Sequence, residues 1–457
     1  MNSAAPVTSQ MRWYLVGWLF VLSAVAFLDR VNISIAGTSL AHDYHLSNVQ
    51  LGWVFSAFLV GYALFQTPGG RLVDRLGPRR VLTAGVIWWG IFTALTAAVP
   101  QQIAGALILF ISLRFLLGAG EAVVYPASNQ FVARWIPESE RGLANGWIFA
   151  GVGAGAGLSP PLITFIMSRF GWRSSFFACA IIGLLAGLVW YVLSRDTPAE
   201  HRAVSPSELQ IIQRGLTFAP NAHGKNAREL VPWKSVVTSK EVLAVTISYF
   251  SFGYVAWIFF SWFYIYLAQV RGLNLKASAF YAMLPFMAMA ACCPIGGVIS
   301  DRLTRSHGPR TGRCILAALV MVIAAVFLTL GSKVESARLA SVVLAGGAGA
   351  LYLAQSSFWS VTAAIAGASS GSVSGFMNMG AQIGGAVTAS LTPWIAANFG
   401  WTASFLVAAG LCLLGALAWL LVNPSRALAA GDQPANGNLS PAFVSPLDQG
   451  VELKRRT

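Results

Sequence analysis

Apolar runs of twenty or more residues recur along almost the whole chain, separated mostly by short loops. A run of about 20 residues, wound as an α-helix, matches the roughly 30 Å hydrocarbon core of a bilayer. Lipid offers no partner to a bare backbone amide, so such runs are expected to be helical. They fall at 12–36, 49–71, 80–99, 103–127, 141–167 and 173–194, and again at 241–267, 277–300, 313–332, 338–362, 370–397 and 401–422. Charge is too scarce for any other reading: hydrophobic residues make up 56% of the 457 positions and charged ones 10%, against about 25% charged in a soluble protein. Mean hydropathy is +0.65. The expected class is an all-α membrane protein of twelve transmembrane helices. The first run carries Asp29-Arg30 and extends to about Ala36, too long for the core of a cleaved signal peptide, so it reads as the first span.

This spacing divides the chain into a six-helix bundle over 1–194, a polar linker over 195–240, a second six-helix bundle over 241–422 and a tail over 423–457. The tail contains Pro, Asn and Gly and is expected to be disordered. The formal charge of +14 would suit nucleic acid were the basic residues not so unevenly placed. Apart from Arg30 and Arg114, only Arg169, Arg173, Arg271, Lys276, Lys333 and Arg338 fall on one side of the expected membrane; the rest fall on the other. That asymmetry is the positive-inside signal, and it puts both termini and the linker in the cytoplasm, with the inner (plasma) membrane as the expected location. Nucleic-acid binding is set aside. Cys179, Cys292, Cys293, Cys314 and Cys412 lie in or beside apolar runs without a C-x-x-C, and the five histidines fall in loops. No metal site, cofactor or catalytic centre is expected, and a membrane-embedded metallohydrolase is excluded.

Two landmarks repeat. Gly70-Arg71-Leu72-Val73-Asp74-Arg75-Leu76-Gly77-Pro78-Arg79-Arg80 follows the second span, and Gly297-Val298-Ile299-Ser300-Asp301-Arg302 with Gly308-Pro309-Arg310 follows the eighth. Gly171-Trp172-Arg173-Ser174-Ser175-Phe176 precedes the sixth span, and Gly400-Trp401-Thr402-Ala403-Ser404-Phe405 precedes the twelfth. The offsets are 227 and 229 residues, the mark of duplicated halves. The first landmark resembles the signature loop of the major facilitator superfamily, and the likeness covers about residues 12–422. It implies two pseudo-symmetric six-helix bundles rocking about a central site. By the same resemblance Asp74, Arg75, Asp301 and Arg302 gate the cytoplasmic side. The plain alternative is that they solvate a turn and set topology.

Four ionisable residues lie well inside expected spans: Asp29, Arg30, Arg114 and Glu121. Each costs roughly 2.5–3.5 kcal/mol at mid-membrane, which makes sense for a wet cavity or for mutual pairing. Arg114 and Glu121 share a helix face about 10.5 Å apart along the axis, far for a direct pair. The adjacent Asp29 and Arg30 point about 100° apart. Paired arginines suit an anion, and neighbouring carboxyls suit protons. We therefore expect Arg114 and Glu121 to be coupled, with protonation of Glu121 freeing Arg114 for substrate. The alternative is a set of ion pairs that only holds helices together.

Phe27-Leu28-Asp29-Arg30-Val31-Asn32-Ile33-Ser34 and Arg114-Phe115-Leu116-Leu117-Gly118-Ala119-Gly120-Glu121 with Tyr125-Pro126 resemble the anion:cation symporter branch of that superfamily. The branch includes bacterial proton-coupled sugar-acid carriers and the vesicular and lysosomal organic-anion carriers of animals. The resemblance implies that Arg30 and Arg114 bind a carboxylate, Asp29 and Glu121 take protons, and Tyr62 contacts substrate. Tyr62 and Gln66 share a helix face, as do Asn378 and Gln382; Tyr352, Gln355, Ser356 and Trp359 fall at helical spacing. Tyr62, Ser356, Trp359 and Asn378 are taken as substrate contacts, with interhelical hydrogen bonding as the alternative use. Gly151, Gly153, Gly155 and Gly157 before Pro160-Pro161, and Gly380, Gly384 and Gly385 before Pro393, read as packing and hinge elements. Relatives in this branch carry a polar residue near the Gly151 stretch, and its absence here implies a roomier pocket. The expected activity is proton-coupled import of an organic anion, a sugar acid such as glucarate, galactarate, galactonate or a hexuronate. Competing readings are a carrier of an aromatic acid, tartrate or a dicarboxylate, an organophosphate:phosphate exchanger, or a sensor. The expected partners are the anion, protons and the bilayer, and the expected state is a monomer.

Overall fold

The computed structural model describes residues 9–101, 103, 105–216, 230–263, 266–273 and 275–428. Linker residues 217–229 and tail residues 429–457 lie outside the described residues, so the expected disorder of the tail does too. In the first half the helices are α1 (Met11–Asp43), α2 (Asn48–Leu76), α3 (Pro78–Ala98), α4 (Ala106–Glu121), α5 (Val124–Trp135), α6 (Arg141–Phe170) and α7 (Trp172–Leu193). Two short linker helices follow, α8 (Pro206–Gly215) and α9 (Trp233–Thr238). The second half holds α10 (Lys240–Ser261), α11 (Leu275–Pro309), α12 (Leu316–Lys333), α13 (Ala337–Leu353), α14 (Gln355–Ala366) and α15 (Ser370–Leu420). Among the described residues, nine continuous stretches are long and apolar enough to cross a membrane. Two of them, Phe280–Lys333 and Ala337–Leu420, are 54 and 84 residues long. A break at Gly308 divides the first into two crossings, and breaks at Gly367 and Gly400 divide the second into three, which brings the architecture to the twelve expected.

Local chemistry sets where the helices begin and bend. Ser47 and Gln50 form a reciprocal capping box at the start of α2, and Pro78 opens α3 at a position that has no amide to lose. The glycine of each Gly-Trp landmark takes a left-handed backbone, with φ of 78° at Gly171 and 84° at Gly400. A side chain there would be strained, which explains why both spans turn at a glycine. The fourth and tenth spans are each broken, between Glu121 and Val124 and at Ala354, a feature the hydropathy pattern does not register.

The halves meet through α2 against α15 and α6 against α11. Alternate glycines of α6 serve two neighbours: Gly151 and Gly155 lie against the α1 backbone at Phe20 and Ala24, and Gly153 against Ala290 of α11. These glycines are packing sites, as expected. The linker is also built in. Ser9 Oγ and the Met11 and Arg12 amides donate to Glu208 of α8, and Arg12 pairs with both Glu208 (3.1 Å) and Glu140 (3.0 Å). Farther on, Val231 accepts from Arg71 of the first half at 2.8 Å, and its amide donates to Ser369 of the second at 2.9 Å.

Breaking the Arg12 cluster should loosen the linker without touching the core. Glu208→Ala leaves Arg12 with Glu140 alone, and the expected result is faster protease cleavage between residues 200 and 216 at nearly unchanged unfolding temperature. Limited proteolysis of the purified chain checks this.

Candidate functional site

A cavity lies between the halves. Its first-half wall is Phe27 and Arg30 of α1, Tyr62 of α2, Tyr125 of α5 and Phe149 and Val152 of α6. The opposite wall is Tyr249, Phe252, Trp257 and Phe260 of α10, Met289 of α11, Tyr352, Gln355, and Asn378 and Gln382 of α15. Arg30 is the one charged residue on this lining among the described residues. Its Nε donates to Glu121 Oε1 at 2.6 Å. Its guanidinium lies 4.3 Å from the Tyr62 ring centre, 4.7 Å from Phe27 and 5.3 Å from Phe58, the close cation–π range. Glu121 is the last residue of α4, where the negative end of the helix dipole repels a carboxylate. A cation or a proton must hold it there, and Arg30 is that cation.

The structure revises the expected coupling. Glu121 pairs with Arg30, not with Arg114. Two turns of α4 separate Arg114 from Glu121, whereas α1 brings Arg30 alongside the helix end. Arg114 is buried, lies 4.9 Å from the Phe58 ring, has no hydrogen-bond partner on Nε, and is absent from the cavity lining. Asp29 faces α3, accepting from Thr93 Oγ1 at 2.6 Å; its neighbour Arg30 points into the cavity, as adjacent helical positions require. Tyr62 and Asn378 are on the lining, and Asn378 Nδ2 is without a partner. Ser356 is buried with its Oγ unpaired and off the lining. Trp359 stands one layer back, donating from Nε1 to the Tyr249 hydroxyl at 3.1 Å. Gln355 donates to the same hydroxyl at 2.9 Å. Tyr249 and the wall phenylalanines are the functional candidates that sequence reasoning missed. A tyrosine in the middle of an apolar run, as Tyr249 is, was the available signal.

The four residues expected to gate divide by type. Asp74 accepts from the Gly371 amide (2.9 Å), the Ser372 amide (2.8 Å) and the Ser372 hydroxyl, all at the start of α15. Asp301 accepts from the Gly142 amide (2.8 Å) and the Leu143 amide (2.7 Å) at the start of α6, and Arg313 lies 3.8 Å away. Each aspartate thus caps a helix of the opposite half, where free amides and the positive dipole end favour a carboxylate. Backbones touch beside each cap: a Cβ on Gly70 would collide with the Gly371 carbonyl, and one on Gly297 with the Gly142 carbonyl. This side is closed. Arg75 and Arg302 are exposed and take no part in these bonds.

Two broken-helix halves, a cavity between them and crossed caps below define a membrane carrier. The sequence profile of the Major Facilitator Superfamily matches residues 19–389 and 310–447, and the chain belongs to that family. It is a transporter and not an enzyme. It is 30% identical over 426 residues to the probable sulfoacetate transporter SauU of Cupriavidus necator, covering 93% of this chain and 96% of that one. To the probable galactarate/D-glucarate transporter GudP of Bacillus subtilis it is 33% identical over 302 residues, 65% of this chain and 66% of the relative. To a chloroplastic ascorbate transporter of Arabidopsis thaliana it is 30% identical over 428 residues, 92% and 77%. The fold matches the proton:xylose symporter XylE with a TM-score of 0.68 at 19% identity, over 91% of this chain and 97% of that one.

Two outcomes are expected. Arg30→Ala strands Glu121 and should destabilise the protein by about 3–5 kcal/mol, with the Arg30→Ala/Glu121→Ala double variant recovering part of the loss in denaturation of the purified chain. Asp74→Ala or Asp301→Ala removes a helix cap, about 0.5–2 kcal/mol. Spin-label distances between Arg75→Cys and Arg302→Cys should then show a larger open population on the latch side.

Proposed function

We propose that the protein is a proton-coupled symporter that imports a small organic anion by alternating access. The carrying observation is the Arg30–Glu121 pair, in which Arg30 stands on the cavity wall and the carboxylate behind it. The cation that would bind the anion is held by a carboxylate that a proton can neutralise. An arriving carboxylate and Glu121 compete for Arg30. Protonation of Glu121 frees the Arg30 Nε, and the wall then presents an unopposed guanidinium. When the site opens to the other side and the proton leaves, Glu121 reclaims Arg30 and the anion is released. Asp29, turned toward Thr93, is a second proton acceptor remote from the substrate. Arg114 acts through the field it adds behind Phe58.

Relatives named for sulfoacetate, galactarate or glucarate, and ascorbate support an acidic substrate, and the second of them supports a sugar acid. The exchanger reading loses its main support because Arg114 is off the wall and, among the described residues, Arg30 is the one arginine on the cavity lining. The excess of basic residues on the latch side supports cytoplasmic termini and linker, a bacterial-type inner membrane location, and an orientation with the crossed caps facing the cytoplasm. Bundle limits of 1–194 and 241–422 and a monomeric working unit belong to the same proposal.

Uptake into proteoliposomes under an imposed pH gradient tests it. An inward proton gradient should concentrate an organic acid. Glu121→Gln should bind the acid yet lose gradient-driven accumulation and pH dependence. Arg30→Gln should weaken binding about tenfold or more, the loss of one charge-assisted hydrogen bond. Stimulation by internal phosphate alone, or undiminished accumulation by Glu121→Gln, would overturn the reading.

A further inference from the structure

The cavity wall carries information about the body of the substrate as well as its charge. Half of the residues lining it are aromatic. They are arranged in stacks: Tyr125 and Phe149 have centroids 4.9 Å apart with rings 17° from parallel, and Tyr249 and Phe252 are 5.2 Å apart at 24°. Phe27 and Phe260, one from each half, approach to 6.1 Å. Non-aromatic polar groups are few. Arg30 stands on the first-half wall, and Gln355, Asn378 and Gln382 stand on the other. Gln355 and Asn378 are at most 4% exposed, and Gln355 Oε1, Asn378 Nδ2 and Gln382 Oε1 have no hydrogen-bond partner.

From this wall we infer that the site is built for a flat monocarboxylate with one polar substituent at the end away from the carboxylate, in preference to a polyhydroxy acid or a diacid. The inference rests on the organic-anion reading above. A dianion would need a second cation, and Arg114 does not reach the cavity. A sugar acid carries a hydroxyl on nearly every carbon. The Tyr62 hydroxyl is free to meet one, but those of Tyr125 and Tyr249 already bond Ser23 and Gln355, and the phenylalanine and tryptophan faces cannot replace the water of the rest. A flat body instead lies against the ring faces of the two walls, with the Tyr125–Phe149 stack on one side and the Tyr249–Phe252 stack on the other. Its carboxylate meets Arg30 and its far substituent, a hydroxyl or carbonyl, meets the free amide groups of Asn378 and Gln382. Gln355 is a positioning residue for that end, because its NH2 is committed to the Tyr249 hydroxyl, which Trp359 also holds.

Calorimetric binding to the purified full-length chain decides the matter, with 4-hydroxybenzoate, benzoate, galactonate and glucarate as probes. The expected result is that 4-hydroxybenzoate binds at least about tenfold more tightly than galactonate or glucarate. Asn378→Ala should weaken 4-hydroxybenzoate by about tenfold and change benzoate by less than about twofold, since only the former has a group for the amide. Tighter binding of galactonate or glucarate, or an equal effect of Asn378→Ala on both benzoates, overturns the inference. The proton-coupling proposal fails separately. Tight 4-hydroxybenzoate binding without gradient-driven uptake sinks coupling and supports the substrate class, while gradient-driven uptake of galactonate with no benzoate binding does the reverse.

Discussion

A single ion pair organises the centre of this molecule. Arg30 and Glu121 meet at 2.6 Å in a place that neither could occupy alone. Glu121 sits at a helix C-terminus that repels it, and Arg30 sits among aromatic rings that cannot hydrate it. Each makes the other's burial tolerable, as paired charges must in a medium of low polarity. The break between α4 and α5 ends the helix at the carboxylate, which reaches the cavity through Arg30. The close packing of α1 on α6, allowed by Gly151 and Gly155, seats the first helix within the bundle. Any event that changes the charge of one partner changes what the other can do, and this makes the pair a transport element as well as a structural one.

Much of this architecture was legible in the sequence. The apolar runs gave the crossings because a bilayer imposes its thickness on helix length. The Gly-Trp landmarks gave the repeat because both halves need a left-handed turn at the same point, at Gly171 and Gly400. Asp29, Arg30, Arg114 and Glu121 stood out because buried charge is expensive. The pairing among them was not legible. Spacing along one helix relates Arg114 to Glu121, but which neighbouring helix supplies the closer cation depends on the crossing of α1 with α4. The aromatic wall was hidden for a related reason: a phenylalanine facing lipid and one facing a cavity look alike in a hydrophobic run. Ser356 and Trp359 share helical spacing with Gln355, but Gln355 lies on the cavity lining and they do not.

The aspartates of the two landmark loops show how a duplicated sequence makes an interface. Each carboxylate reaches out of its own half to cap a helix of the other, Asp74 on α15 and Asp301 on α6. The partners obey the same repeat as the loops themselves, so one ancestral contact is used twice with the halves exchanged. The arginines next to them stay in solvent. In this conformation they add to the charge asymmetry of the surface and leave the capping to their neighbours.

The glycines beside those caps give the interface an unusual mechanical character. Where Gly70 meets Gly371 and Gly142 meets Gly297, bare main chain slides on bare main chain, with no knobs to withdraw from holes. Surfaces of that kind offer little friction. Resistance to parting then falls to directional bonds, those to the two carboxylates together with side-chain bonds such as Asn129 to Thr362, Asn145 to Ser360 and Ser370 to Gln130, which break abruptly over a fraction of an ångström. Such a joint behaves as a catch on a smooth hinge, and the halves would separate in a step instead of creeping apart.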